Sequence, residues 1–125
     1  MDKLKFINEQ MNEVLEIPYE FGEWTSAIQY PYYVGEITED EPMTEDGAES
    51  STMILNGFHR GEFIDLERDK QTIKQHFHPV CGLRGKTESG AIAVYYGGAF
   101  YVPTNEADLK RIQINLVIKE WKGAI

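Results

Sequence analysis

The period of the apolar positions changes along the chain, and each change marks an element. Leu4, Ile7, Met11 and Val14 recur at helical spacing, which predicts a first amphipathic helix over residues 3–16, ended by Pro18. Tyr30-Pro31-Tyr32-Tyr33-Val34-Gly35-Glu36-Ile37 predicts a strand over 31–37. Pro31 stands at its start, where a missing N–H does least harm. Thr52, Ile54 and Asn56 alternate with Met53, Leu55 and Gly57, a second strand over 50–58. Gly57 and Gly61 bracket a bend at Phe58-His59-Arg60. From Phe63 the period becomes that of a helix over 63–77. Phe63, Leu66, Ile73 and Phe77 lie on one stripe, and its polar member, Lys70, can lay its stem along the apolar surface.

His78-Pro79 stop that helix, and a loop with Gly82 and Gly85 follows from Val80 to Ser89. Strands are predicted over 91–96 and 99–102, with Gly97-Gly98 as the two-residue turn between them. Over 109–121, Ile112, Ile114, Leu116 and Ile118 alternate with Arg111, Gln113, Asn115 and Val117. One face is buried and the other mostly wet, as in an antiparallel sheet covered on one side. The expected fold is α+β, a single domain over 1–125. It has a largely antiparallel β-sheet of four to five strands with two helices packed on one face.

Two segments stand apart from this pattern. The connection Ile17–Gln29 is rich in aromatics, Tyr19, Phe21 and Trp24, which either pack over an edge of the core or face a partner. Thr38–Glu49 is acidic and holds Pro42 and Gly47. It is expected to be a long hairpin loop, either a solvated turn or an arm that orders on a partner.

Composition narrows the function classes. A length of 125 residues with 42% hydrophobic and 12% aromatic side chains suits a folded domain with its own core. The net charge of −9, from 21 acidic and 12 basic residues, argues against a nucleic-acid binder or a protein of anionic membrane surfaces. Cys81 is the single cysteine, so no internal disulfide framework is expected. Met1-Asp2-Lys3-Leu4-Lys5 leads into an amphipathic pattern, not a signal peptide, and no run reaches membrane-spanning length. The chain is expected to be soluble and cytoplasmic at synthesis.

Candidate chemistry is sparse. His76-Phe77-His78-Pro79-Val80-Cys81 is the local cluster with metal-ligand types, and His59 is a conceivable fourth ligand. The competing reading is a pair of solvent-side histidines where the helix dipole favours positive charge. Cys81 as a nucleophile would take His76 or His78 as base, but nothing else of such a site is identifiable. A small buried cysteine is the commoner fate. The acidic loop lacks the ligand spacing of a calcium EF-hand, and the glycine pairs lack the Lys-Ser or Lys-Thr of a phosphate loop. No catalytic residue, metal or cofactor is therefore expected.

The order of elements carries a resemblance. A short helix precedes the Pro-Tyr strand start Pro31-Tyr32-Tyr33-Val34-Gly35-Glu36, and a polar loop follows. A strand then runs into an Arg-Gly turn, Thr52-Met53-Ile54-Leu55-Asn56-Gly57-Phe58-His59-Arg60-Gly61. A charged helix, Leu66-Glu67-Arg68-Asp69-Lys70-Gln71-Thr72-Ile73-Lys74, leads to a hairpin and the strand Arg111-Ile112-Gln113-Ile114-Asn115-Leu116. Over nearly its whole length the chain resembles the tail terminator, or tail-completion, proteins of long-tailed bacteriophages and prophages.

That resemblance implies a non-enzymatic virion structural protein. Such proteins form a hexameric ring on the last ring of the tail tube, stop its growth and meet the head–tail connector protein. Its partners would be copies of itself, the tail tube protein and the connector. Its place would be the virion tail, after assembly in the host bacterial cytoplasm. Sequence-specific nucleic-acid binding and membrane binding are not expected. No residue matches an invariant family position, so no role is carried over residue by residue. Candidate interface residues are Tyr19, Phe21 and Trp24 in the aromatic connection, with the exposed edge of the strand at Tyr32–Ile37. Glu39, Asp40, Glu45 and Asp46 in the acidic loop would reach a basic surface of Arg60, Arg84 and Lys86. The alternatives are another head–tail neck adaptor, or a small metal-binding or enzymatic domain using His76, His78 and Cys81. The acidic loop has little apolar area to set against the entropy of ordering. Limited proteolysis of the free chain should therefore cut first within Thr38–Glu49 and leave two fragments that stay associated. Resistance in a monomeric sample would mean a packed loop.

Overall fold

The computed structural model of the chain describes residues 2–41, 48–88 and 90–122. Helix α1 (Asp2–Glu9) widens into a π-helical turn (Gln10–Val14), closed by the Leu15 N–H on the Gln10 carbonyl at 2.9 Å. Then come β1 (Tyr19–Phe21), β2 (Tyr32–Glu41), β3 (Ala48–His59), α2 (Phe63–Phe77), β4 (Leu83–Thr87), β5 (Gly90–Val102) and β6 (Lys110–Lys122). The fold is α+β, with one mixed sheet of six strands in the order β1-β2-β3-β6-β5-β4. β1 and β2 are parallel, and the other neighbours are antiparallel. No helix among the described residues is long and apolar enough to cross a membrane.

β6 is the spine of the sheet. It pairs with β3 from Lys110 to Trp121 and with β5 from Arg111 to Lys122. Its alternate residues Ile112, Ile114, Leu116 and Ile118 are wholly buried. The register sets Ile112, Ile114 and Leu116 beside Gly57, Leu55 and Met53 on one side and Tyr101, Ala99 and Tyr96 on the other. Both helices lie on this face, since Ile7, Met11, Leu66, Ile73 and Phe77 are buried in the same cluster. Lys3 of α1 stands 3.6 Å from Glu120 of β6, and both are almost fully buried. Losing either partner would strand the other charge in the interior.

Several expectations change. Among the described residues the sheet has six strands, not four to five. β1 is a three-residue strand inside the aromatic connection, too short for a period to show. It is held from outside by Asn12, whose amide donates to the Tyr19 carbonyl at 3.0 Å and accepts from the Tyr19 N–H at 3.1 Å. β4 lies in what the sequence presents as the loop from Val80 to Ser89. Its inward middle position is Gly85, because a Cβ there would come 2.6 Å from the Phe6 ring.

Gly97-Gly98 is no turn. β5 runs unbroken through both glycines with a bulge between Tyr96 and Gly98, and each half pairs with β6 instead of with the other. Gly98 takes φ +117, which suits a residue without a side chain. Of the acidic segment, 38–41 belong to β2 and 48–49 to β3. The remainder, 42–47, with Glu45 and Asp46, lies outside the described residues. The regular α-helix near the N-terminus ends at Glu9. Phe63 is 52% exposed, not part of the buried stripe, and packs edge-on against Tyr101 at 5.1 Å.

Ile114 is buried at the middle of β6. Ile114→Ala should cost about 2–5 kcal/mol, the usual range for a buried aliphatic truncated in a core. Urea unfolding reads it, and a loss like that of an exposed site would contradict this strand register.

Candidate functional site

The face of the sheet opposite the helices is crossed by no described helix or strand. Alternation places Tyr32, Val34, Glu36 and Thr38 of β2 on it, with Phe58, Asn56 and Ile54 of β3. β6 adds Arg111, Val117, Lys119 and Trp121, and β5 adds Tyr95 and Phe100. Much of this face is apolar, and Phe100 is 52% exposed.

One corner carries an aromatic array. Trp24 and Tyr32 have ring centroids 4.8 Å apart, Tyr30 and Tyr32 5.7 Å, and Tyr32 stacks on Phe58 at 5.3 Å. The Arg111 guanidinium lies 5.6 Å from the Phe58 centroid, and Arg60 lies 5.8 Å from that of Tyr30. Such cation–ring contacts add modestly to packing. The loop that carries Trp24 is fastened by Glu20. The Thr25 hydroxyl donates to it at 2.7 Å and the Ser26 N–H at 3.2 Å, and these bonds hold its carboxyl down at about 2. A polar row crosses the strands beside the array. The Asn56 amide donates to Glu36 at 2.9 Å, and Arg111 donates to the Asn56 carbonyl at 2.8 Å.

The opposite corner is a hollow of about 360 Å³. Ala91 and Ala93 floor it, Tyr95 and Trp121 wall it, and Arg84 and Lys119 bring positive charge to its rim. Arg84 and Lys86 stand exposed on β4, the last strand of the sheet.

The expected interface residues scatter across this arrangement. Tyr19 is buried on the helix side with its hydroxyl 3.8 Å from the Met53 sulfur, so it belongs to the core and not to an interface. Burial pushes its hydroxyl pKa up. Phe21 is exposed on β1, and Trp24 is half-buried on Tyr32. Glu39 is exposed near the end of β2, and Asp40 shares that strand. Arg60 is not a basic surface awaiting an acidic arm. Glu106 at 2.6 Å, Asp108 at 2.9 Å and the Tyr30 hydroxyl at 3.2 Å already take its guanidinium. The β2 edge is only partly open, since β1 pairs with Tyr33–Gly35. The outward rings of Phe58, Tyr95 and Trp121, and the stacking of Tyr32 on Phe58, are features that the sequence reading misses. Their signal is large apolar side chains at positions whose alternation points away from the core.

The metal candidates do not form a site. No group of three metal-binding side chains comes together among the described residues. His76 meets Gln10 at 2.7 Å, and burial lowers its pKa. The His78 Nδ1 accepts the Val80 and Cys81 N–H groups at 3.1 and 3.0 Å, and Cys81 is exposed instead of packed away. His59 is buried under α2 with its Nε2 2.8 Å from Asp65. Its Nδ1 has no partner and no solvent contact, so it offers a substrate nothing. Hydrogen bonding with His59 lowers the Asp65 pKa.

No protein-family model and no curated protein matches the chain.

Beneath the sheet, the Tyr33 hydroxyl donates to Asp69 at 3.1 Å. Burial nonetheless raises the Asp69 pKa. An acid whose native pKa exceeds its unfolded value holds its proton more firmly when folded. Stability is then lost as pH rises from about 4 through the native value. Asp69→Asn, which keeps an acceptor for Tyr33, should remove that loss in urea unfolding followed against pH. Asp69→Ala should cost about 1–3 kcal/mol by leaving the buried hydroxyl unpaired. An unchanged pH slope in Asp69→Asn would exclude Asp69 as its source.

Proposed function

We propose that this chain is a structural subunit of a long-tailed phage or prophage particle. It closes the end of the tail tube as a ring of copies and presents a joining surface to the head–tail connector. The observation that carries this reading is the one-sided sheet. Both helices cover one face, while the other spreads Tyr32, Phe58, Tyr95, Phe100 and Trp121 with no described helix or strand over them.

Apolar surface left in water costs about 25 cal/mol per Å² relative to burial. Apolar side chains gathered on one uncovered face of a subunit suit a contact surface; here Phe100 is exposed and Tyr32, Phe58, Tyr95 and Trp121 are partly buried. A subunit that meets unlike neighbours above, below and beside itself has need of such a face. A closed ring further requires that one patch meet a different patch on the next copy. The tube end would raise the local concentration of subunits and template the ring, so free chains need not assemble alone. The net charge of −9 suits a passage for DNA, because like charges disfavour sticking.

Deletion of the gene from a phage or prophage that carries it should give tails of uncontrolled length that fail to join filled heads, seen by electron microscopy of lysates. Tails of normal length that still join heads would refute the reading and favour a non-structural role. Tails of normal length that fail to join heads would favour a neck adaptor.

A further inference from the structure

In a chain of net charge −9 a cation has acids in plenty to pair with. Lys3, Arg60, Arg68 and Lys70 each stand against a carboxylate. Lys74 and Lys110 lie over the rings of Tyr96 and Phe63, at 5.8 and 5.1 Å from their centroids. Arg84, Lys86 and Lys119 have no such partner among the described residues. All three are exposed, and all three gather at the hollow on the open face of the sheet.

The strand registers show how the hollow is made. Arg84 of β4, Ala93 of β5 and Lys119 of β6 form one row across the sheet, and Lys86, Ala91 and Trp121 form the next. In both rows the middle strand supplies a methyl group and its two neighbours supply long side chains. The walls therefore stand two strand spacings apart, about 10 Å. Tyr95 closes one end, its ring lying so near Gly82 that a Cβ there would come within 2.7 Å of it. The volume enclosed is about 360 Å³, and no acid is among the described residues that line it.

This lining specifies what it can hold. A floor of alanine between two aromatic side chains favours a flat apolar group. The guanidinium and ammonium groups above it favour carboxylates, which Arg84 can take with two parallel hydrogen bonds. A simple anion would leave most of the volume empty. A nucleic acid or an anionic membrane brings many charges over a wide area, and so meets the −9 of the whole chain. A short stretch of protein meets the cationic corner alone.

We propose that this hollow docks a short acidic segment of another protein. One aromatic side chain enters between Tyr95 and Trp121, and carboxylates on either side of it meet Arg84, Lys86 and Lys119. The hollow continues the open face, so the inference rests on the joining-surface reading and adds the chemistry of what is joined.

The test follows the N–H signals of the full chain by two-dimensional NMR as synthetic peptides are added. The peptide acetyl-Glu-Asp-Phe-Asp-Glu-amide should shift the Trp121 indole signal and the amide signals of Arg84, Ala91 and Ala93, and should saturate. Peptides with Gln and Asn in place of the acids, or Ala in place of the Phe, should bind about tenfold or more weakly, a change equivalent to ~1.4 kcal/mol. Two variants of the chain probe the same two features. Arg84→Glu with Lys119→Glu reverses the charge of the rim, and Ala91→Leu fills the floor while leaving the rim as it is. Each should weaken the acidic peptide by a similar factor, and the second decides if the first unfolds. The proposal is overturned by no saturable shift at these residues, by equal binding of the neutral peptide, by the same shifts from inorganic phosphate alone, or by parental affinity in a folded variant. Shifts at the same residues when the chain alone is concentrated would give the hollow to a second copy, and overturn it too. Peptide binding by a chain whose deletion leaves tails and their joining normal keeps the docking site and removes the tail reading. A joining defect without peptide binding does the reverse.

Discussion

Burial of one side of β6 is the constraint on which the rest of the molecule depends. Ile112, Ile114, Leu116 and Ile118 need cover, and both helices supply it. The chain reaches this arrangement from opposite ends. α1 comes in over the distal end of β6, where Lys3 meets Glu120, and α2 lies toward the proximal end, where Tyr33 meets Asp69. The helices touch through His76 and Gln10. With both helices committed to one side, none among the described residues is left for the other. The open face follows from the number of covering elements as much as from its own side chains.

That open face has internal order of its own. Asn56 holds Glu36 and Arg111 together, and Arg111 lies against Phe58, which stacks on Tyr32. The side chains are thereby fixed before any partner arrives, which lowers the entropy lost on contact. Arg60 does the same for the neighbouring loop by gripping Glu106 and Asp108. The aromatic corner is thus braced from both sides by arginines whose polar ends are engaged within the chain.

The legible parts of the sequence were those with a long, clean period. The stripe of Leu66, Ile73 and Phe77 located α2, and the alternation from Ile112 to Ile118 located the buried side of β6. What stayed hidden had no period to show. β1 exists because Asn12 mimics a strand edge, a contact between residues seven apart that no local pattern encodes. β4 was hidden by Gly85, whose missing side chain is explained only by the Phe6 ring packed there. Gly97-Gly98 carried the composition of a turn in a place where the chain keeps going. The open face was partly legible, because Tyr95, Val117 and Trp121 alternate opposite to the core residues. The expectation of a mostly wet outer face concealed it. Arg60 shows the limit of charge alone, since only the fold places Glu106 and Asp108 beside it.

The bulge in β5 has a consequence for how this chain can change over evolutionary time. Before it, Ile92, Val94 and Tyr96 face the helices; after it, Ala99 and Tyr101 do. The bulge absorbs the extra residue, so the two halves keep the faces that plain alternation would give a strand one residue shorter. Loss of one glycine would close the bulge and leave Ala99 and Tyr101, with its 2.6 Å bond to Glu67, on the helix side and Phe100 outside. The same loss in a regular stretch of the strand has no such slack and exchanges the inner and outer surfaces of the residues beyond it. Related chains should therefore differ in length at the bulge more readily than elsewhere in this strand.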